Sequence, residues 1–279
     1  MAESKVALIT GGSQGIGRAM AAEFGKAGYS LAICSRTDDD VKKAETELRS
    51  AGFECFGFAL DVSDAQVVRE RVAWVATSLG RIDVLVNCAG VYGPIGPLEE
   101  NDEMQWEDAI KTNLCGTVYC TRAVIPIMKK QKEGSIINMA GAGVGGADIK
   151  PNFSSYVTSK FAVCGFTEAI SCELEGTGVR INAISPGAVN TRLLDQVLKS
   201  GEKAGKFYQE SLKQKESGGT DPGIAAELAV FLSGKEASHI NGKTISAVWD
   251  TREKLASPGR SLYTLRRIDN ELFAEKMVS

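Results

Sequence analysis

The sequence predicts an α/β protein: one doubly wound parallel sheet forming a single domain over residues 1–250, followed by a C-terminal extension over 251–279. Three observations carry this. Short, almost continuously apolar stretches alternate with polar-periodic stretches of helical length, the pattern of strands buried on both faces and joined by helices. Glycines close several helical stretches just before the next strand, at Gly28, Gly52, Gly80 and Gly178, where a left-handed residue ends a helix without a Cβ clash. No composition break, long linker or low-complexity tract divides the chain. Right-handed crossovers through such an order place helices on both faces of the sheet.

The strands are expected at Val6–Thr10, Ser30–Ser35, 55–60, Val84–Asn87, 135–139 and 180–185, short apolar stretches that together are rich in Val, Ile and Leu. A last strand is expected at 243–249, with Trp249-Asp250 as its exit. Residues 188–220, rich in Lys and Glu with scattered glycines, read as a surface excursion or lid. In the extension, Leu262, Leu265, Ile268, Leu272 and Phe273 follow roughly helical spacing beyond Pro258-Gly259, interleaved with Arg260, Arg266, Arg267 and Asp269. A disordered tail rarely gathers so many large apolar residues, so docking over the substrate cleft or on a neighbouring subunit is expected.

Composition narrows the function. The 279 residues carry 32 Lys+Arg against 35 Asp+Glu, a net charge of −3, so nothing basic marks a nucleic-acid partner. Hydrophobic content of 43% and charge of 24% exclude disorder, coiled coil and collagen. No apolar run approaches the ~20 residues of a membrane span, and the first residues lack the pattern of a signal peptide. The seven cysteines are scattered without a Cys-x-x-Cys, and His239 is the single histidine. These facts argue against a disulfide framework, a zinc site and any histidine triad. A cytoplasmic location is the expectation.

The chemistry begins where the first strand meets Gly11-Gly12-Ser13-Gln14-Gly15-Ile16-Gly17 and a helix follows. Glycines there allow a tight turn and close approach of a pyrophosphate, and the N–H groups of the helix start attract its charge. A purely structural turn is the competing reading; the position between strand and helix favours a Rossmann-type dinucleotide site. No Gly-Lys-Ser/Thr is present, which disfavours a phosphate-cleaving P-loop. Further along, Tyr156 and Lys160 stand four apart, on one face of a helix. An ammonium beside a phenol lowers its pKa and equips it to exchange a proton with an alcohol or carbonyl.

The spacing Thr10-Gly11-x-x-x-Gly15-x-Gly17 resembles the short-chain dehydrogenase/reductase family. Matches follow in the expected order at Asp61-Val62, Asn87-Cys88-Ala89-Gly90, Asn113, Tyr156-Val157-Thr158-Ser159-Lys160, and Asn182 with Pro186-Gly187. Together they span residue 5 to about 250. The resemblance implies an oxidoreductase that passes hydride between a nicotinamide cofactor and an alcohol or carbonyl. It implies Tyr156 as proton carrier, Lys160 as its partner and ligand of the nicotinamide ribose, and Asn113 as holder of a relay water. It implies a cofactor lining of Gly11, Ser13, Gln14, Gly15, Ile16, Gly17, Ser35, Arg36, Asp61, Val62, Asn87, Ala89, Gly90, Tyr156, Lys160, Pro186, Gly187, Val189 and Thr191. Asp61 would accept from the adenine amino group and Val62 supply a backbone amide; by itself, Asp61 reads equally as a helix cap. It also implies a homodimer or homotetramer, paired through the helix at 155–175, which carries Phe161, Val163, Phe166 and Ile170, and the helix near Asn113.

The pattern fails at one point. The family's substrate-binding serine falls on Gly141 counted from Asn138, or on Gly143 counted from Tyr156, and 140–146 contains no hydroxyl. Ser154 and Ser155 are replacements or helix caps. The departure keeps open a second reading, a non-catalytic dinucleotide-binding or scaffold protein; retained oxidoreduction is favoured because Tyr156, Lys160 and Asn113 survive. At the end of the second strand, where NAD-dependent members place an acid, stands Ser35, followed by Arg36. Arg36 suits a 2′-phosphate, which favours NADP(H), with NAD(H) as the alternative. Lys199, Lys203, Lys206, Lys213 and Lys215, with Arg192, read as a solvated face or as attraction for an anionic or sugar-like substrate.

Overall fold

The computed structural model describes residues 4–141, 143–144, 149–250 and 255. Seven parallel strands lie in the order β3-β2-β1-β4-β5-β6-β7. They are β1 (Val6–Thr10), β2 (Ser30–Ser35), β3 (Cys55–Ala59), β4 (Val84–Asn87), β5 (Gly134–Met139), β6 (Val179–Ser185) and β7 (Thr244–Ser246). The helices are α1 (Gly15–Lys26), α2 (Asp38–Ser50), α3 (Ala65–Leu79), α4 (Glu103–Ile110), α5 (Gly116–Gln131), α6 (Ser154–Glu173), α7 (Arg192–Ser200), α8 (Lys206–Ser217) and α9 (Pro222–Ser233).

Successive strand residues enter opposite cores, which explains their unbroken apolar character. Ala7, Ile9, Leu31, Ile33, Val84, Val86 and Ile137 pack with Met20 and Phe24 of α1, Leu48 of α2 and Leu228 and Leu232 of α9. Val6, Leu8, Ala32, Cys34, Leu85 and Ile136 pack on the other face with Val68, Val72 and Val75 of α3 and Val124 and Met128 of α5. Each fully buried Leu or Ile contributes about 1.5–3 kcal/mol. Gly28, Gly52, Gly80 and Gly178 all take left-handed φ values, between 77° and 88°.

Chain order reverses between β1 and β4, whose ends pair Thr10 with Asn87. The helices α1 and α5 therefore leave to opposite faces of the sheet, and the carboxyl edge at such a reversal is where doubly wound sheets bind ligands.

The last strand is shorter than the apolar run 243–249 predicts. After Ser246 the chain turns: the Ser246 hydroxyl accepts from the Val248 and Trp249 N–H groups at 3.3 and 3.1 Å. Asp250 closes the turn by accepting from the Ser246 N–H at 2.8 Å. Local side-chain bonds outcompete the ladder here, and Trp249 is left 76% exposed. The apolar and arginine residues of the extension lie outside the described residues; Leu255, which precedes them, is fully buried against the α9 face of the core. No helix among the described residues is long and apolar enough to cross a membrane.

Candidate active site

The loop after β1 and the loop after β4 are built against one another. The Thr10 hydroxyl accepts from the Cys88 and Ala89 N–H groups at 3.1 and 3.2 Å. A Cβ on Gly11 would lie 2.9 Å from the Ala89 nitrogen, and one on Gly17 would overlap the Gly11 carbonyl. Only glycine fits either position. The α1 N-terminus has no side-chain cap, so its first N–H groups stay free for a ligand. The buried Ser13 hydroxyl oxygen has no hydrogen-bond partner. An orphaned hydroxyl beside an uncapped helix start suits a pyrophosphate oxygen, so the residues present fit a dinucleotide.

A cleft of about 170 Å³ continues from this turn, lined by Gln14, Gly15, Ile16, Arg36, Ala89, Gly90 and Thr191 among others. Ser35 is half-buried and Arg36 exposed, and among the described residues Arg36 forms no ion pair. Asp38, Asp39 and Asp40 occupy the first turn of α2, where acids suit the macrodipole; Asp38 pairs with Lys42 and Asp40 with Arg192. The cap of α3 is Asp64, which accepts from Gln66 and Val67 N–H groups. Asp61 is therefore not the helix cap that its position also suggested. One of its oxygens accepts from Ser63, and the residue is exposed. Val62 is buried against Gly116 of α5. The Asn87 side chain turns inward, donating to Thr121 at 3.0 Å and Asn138 at 2.9 Å, while Asn138 donates to Thr167. This buried polar chain ties β4 and β5 to α5 and α6.

Asn113 sits in a π-helical turn, Lys111–Cys115, between α4 and α5. Its side chain exchanges two hydrogen bonds of 2.8 Å with the Val91 backbone and donates to Ser159 at 3.0 Å. Lys160, 6% exposed, donates to the Met139 carbonyl at 2.9 Å. A Cβ on Gly90 would lie 3.2 Å from Asn113 Oδ1 and 3.9 Å from Lys160 Nζ. Asn113, Lys160 and the cofactor cleft thus meet at Gly90. Tyr156 lies beside them, with Lys160 Nζ 5.6 Å from its ring centroid.

The expected lowering of the Tyr156 pKa does not occur. Burial is the largest cause and raises it, with Tyr92 and Cys88 adding to the effect. Lys160 is pushed down, again chiefly by burial. In this dry corner burial disfavours the charged form of both groups.

Gly141, one of the two positions at which the serine is expected, stands beside the phenol: a Cβ there would lie 3.2 Å from Tyr156 Oη. Gly141 and Gly143 have φ of 148° and 82°. Ser154 and Ser155 do not cap α6, whose N-cap is Phe153 without a side-chain bond. The Ser154 hydroxyl accepts from Trp106 and the Ser155 hydroxyl donates to the Tyr92 carbonyl, which draws both away from the phenol.

Tyr156 also lines a cavity of about 230 Å³ with Tyr92, Gly141, Phe153, Pro186, Gly187, Val189, Phe207 and Gln214. Cavity and cofactor cleft share Ile16, Thr191 and Leu193 as a common wall. Residues 188–220 form α7 and α8 over this space. Their five lysines are exposed and none lines the cavity, so they form a solvated surface. The cation in the cavity wall is Lys150. Sequence reasoning missed Lys150, Tyr92, Phe153 and Phe207. No spacing links them; only the tertiary fold brings them together.

The family described as short chain dehydrogenase matches residues 5–201. The chain belongs to this family. Among curated relatives, the short-chain reductase protein NovJ of Streptomyces niveus is 35% identical over 248 residues, covering 88% of this chain and 93% of that protein. A variant of the actinorhodin polyketide ketoreductase, solved with NADPH, superposes with a TM-score of 0.80 at 31% identity, covering 87% and 95% of the two chains. An NAD+-bound xylitol dehydrogenase superposes with a TM-score of 0.80 at 28% identity, covering 88% and 98%. Short-chain dehydrogenases of both cofactor types therefore share this architecture.

Proposed function

We propose that this short-chain dehydrogenase is an NADP(H)-preferring oxidoreductase that reduces a carbonyl compound, or oxidises the corresponding alcohol, in the cavity beneath α7 and α8. The observation that carries this reading is Tyr156 in the wall of the cavity, beside Lys160 and Asn113, with Ile16, Thr191 and Leu193 shared between that cavity and the cofactor cleft. When bound, the nicotinamide supplies the hydride. Tyr156 is a buried phenol and donates the proton to the substrate oxygen. Lys160 resupplies charge at the phenol and faces the ribose edge of the cleft beside Gly90. Asn113 fixes the Val91 segment, and its π-helical turn holds the relay water. Gly141 leaves the phenol approachable from the loop side, where backbone amides and water take the place of the serine hydroxyl.

Arg36, exposed at the cleft and free of ion pairs among the described residues, supports the preference for a 2′-phosphate. The NADPH seen with the polyketide ketoreductase agrees with it. The five outward lysines give no support to a sugar-like substrate. The chain works as a homodimer or homotetramer in the cytoplasm. Val163 is buried in the protein's own core, while Phe161, Phe166 and Ile170 are only partly covered and remain available to a partner. Purified protein incubated with NADPH and a panel of ketones and aldehydes tests the reading. Substrate-dependent loss of the nicotinamide absorbance is expected. NADPH binding without turnover of any member would favour the non-catalytic alternative.

A further inference from the structure

Lys150 is the one cation in the cavity wall, among described residues that are otherwise apolar or uncharged. Its Nζ lies 3.1 Å from the centroid of the Phe207 ring. No carboxylate among the described residues lies within ion-pair distance of it; Glu210, one turn beyond Phe207 on α8, acts on it only through space. The ring supplies the attraction a carboxylate would normally give. From that ring a file of edge-to-face aromatics leads to the reacting end. Phe207 meets Phe153 at 5.3 Å between centroids, Phe153 meets Tyr92 at 5.2 Å, and Tyr92 meets Tyr156 at 4.6 Å. The cavity thus has an aromatic wall with a phenol at one end and, at the other, an ammonium that has no ion pair among the described residues.

Holding a lysine in such a place costs solvation: burial lowers its pKa to about 8. A half-buried ammonium with no ionic partner among the described residues is placed to receive an anion brought by a ligand. The aromatic wall suits a flat, apolar body between that anion and the reacting carbonyl. Neutral groups gain little from Lys150, whereas an anion pairs with its full charge.

We propose that Lys150 is a substrate-recognition residue that selects aromatic ketones, or the matching alcohols, bearing a carboxylate at the end remote from the reacting carbon. This rests on the oxidoreductase reading for the reaction, but the recognition step is separable from it.

The test compares acetylbenzoates with their uncharged amides. Binding to the NADP+-saturated protein is measured by calorimetry, and turnover with NADPH is measured alongside. The wild type should bind a carboxylate member at least tenfold more tightly than its amide. In Lys150→Met that preference should vanish, through weaker carboxylate binding with amide binding unchanged. Lys150→Arg should restore most of it. In turnover, the variant's loss should appear in KM for the carboxylate and not in kcat. Equal affinity for acid and amide in the wild type, or a preference that survives in Lys150→Met, would overturn the proposal. If the preference depends on Lys150 but no ketone is reduced, recognition stands and the hydride-transfer reading falls.

Discussion

Gly141 and Tyr156 are so close that a Cβ on the glycine would stand 3.2 Å from the phenolic oxygen, and the glycine holds φ at 148°. The loop has been shaped around the phenol in a conformation that L side chains rarely adopt. A serine side chain here should therefore be poorly accommodated. Gly141→Ser is expected to lower kcat/KM roughly tenfold or more and to cost about 1–3 kcal/mol of stability. Paired kinetics and denaturant unfolding check it; a gain in activity would show that the hydroxyl can be accommodated.

Arg36 should report on the cofactor. Arg36→Ala removes a charged hydrogen bond worth about 1.5–3 kcal/mol, so KM for NADPH should rise on the order of ten- to a hundredfold. KM for NADH should stay within about twofold, because no charge pair is lost there. Steady-state kinetics with both cofactors decide the matter. A parallel loss with NADH would mean that Arg36 shapes the cleft and does not read the phosphate.

The buried polar chain Asn87–Asn138–Thr167 sets the carboxyl edge from which both loops depart. Asn138→Ala leaves Asn87 with one partner fewer and Thr167 without its donor. A loss of about 1–3 kcal/mol is expected, measured by urea unfolding.

Lys150 gives stability a pH dependence. Its pKa falls from 10.5 to about 8 through burial. Between those values the unfolded chain binds more protons at this site than the native protein does, so this group makes stability rise with pH across that window. Below about pH 8 the full penalty acts. The stability of Lys150→Met relative to wild type should therefore be more favourable at pH 7 than at pH 10. Unfolding at the two pH values checks this, and a difference independent of pH would contradict it.

The architecture was largely legible because strands buried on both faces cannot alternate, and the glycines at 28, 52, 80 and 178 punctuate them. The glycine-rich turn after β1 was legible because Gly11 and Gly17 stand where any Cβ would meet backbone. What misled was local competition. The run 243–249 looked like one strand, yet the Ser246 hydroxyl and Asp250 bend it. Asp61 looked like a cap, yet Asp64 takes that role. The tyrosine–lysine spacing suggested a lowered phenol pKa, but spacing cannot register how dry the corner is. The cavity wall was illegible altogether, because Lys150 and Phe207 become neighbours only when α8 folds over the loop that precedes α6.

The most direct test of the central claim follows the hydride itself. NADPH carrying deuterium at the transferring C4 position is incubated with a reducible ketone, and the alcohol product is analysed by mass spectrometry. The account predicts one deuterium on the carbinol carbon with the wild type. Tyr156→Phe should slow the reaction on the order of a hundredfold or more, with its unfolding transition little changed. Product free of the label, or undiminished turnover by Tyr156→Phe, would contradict it.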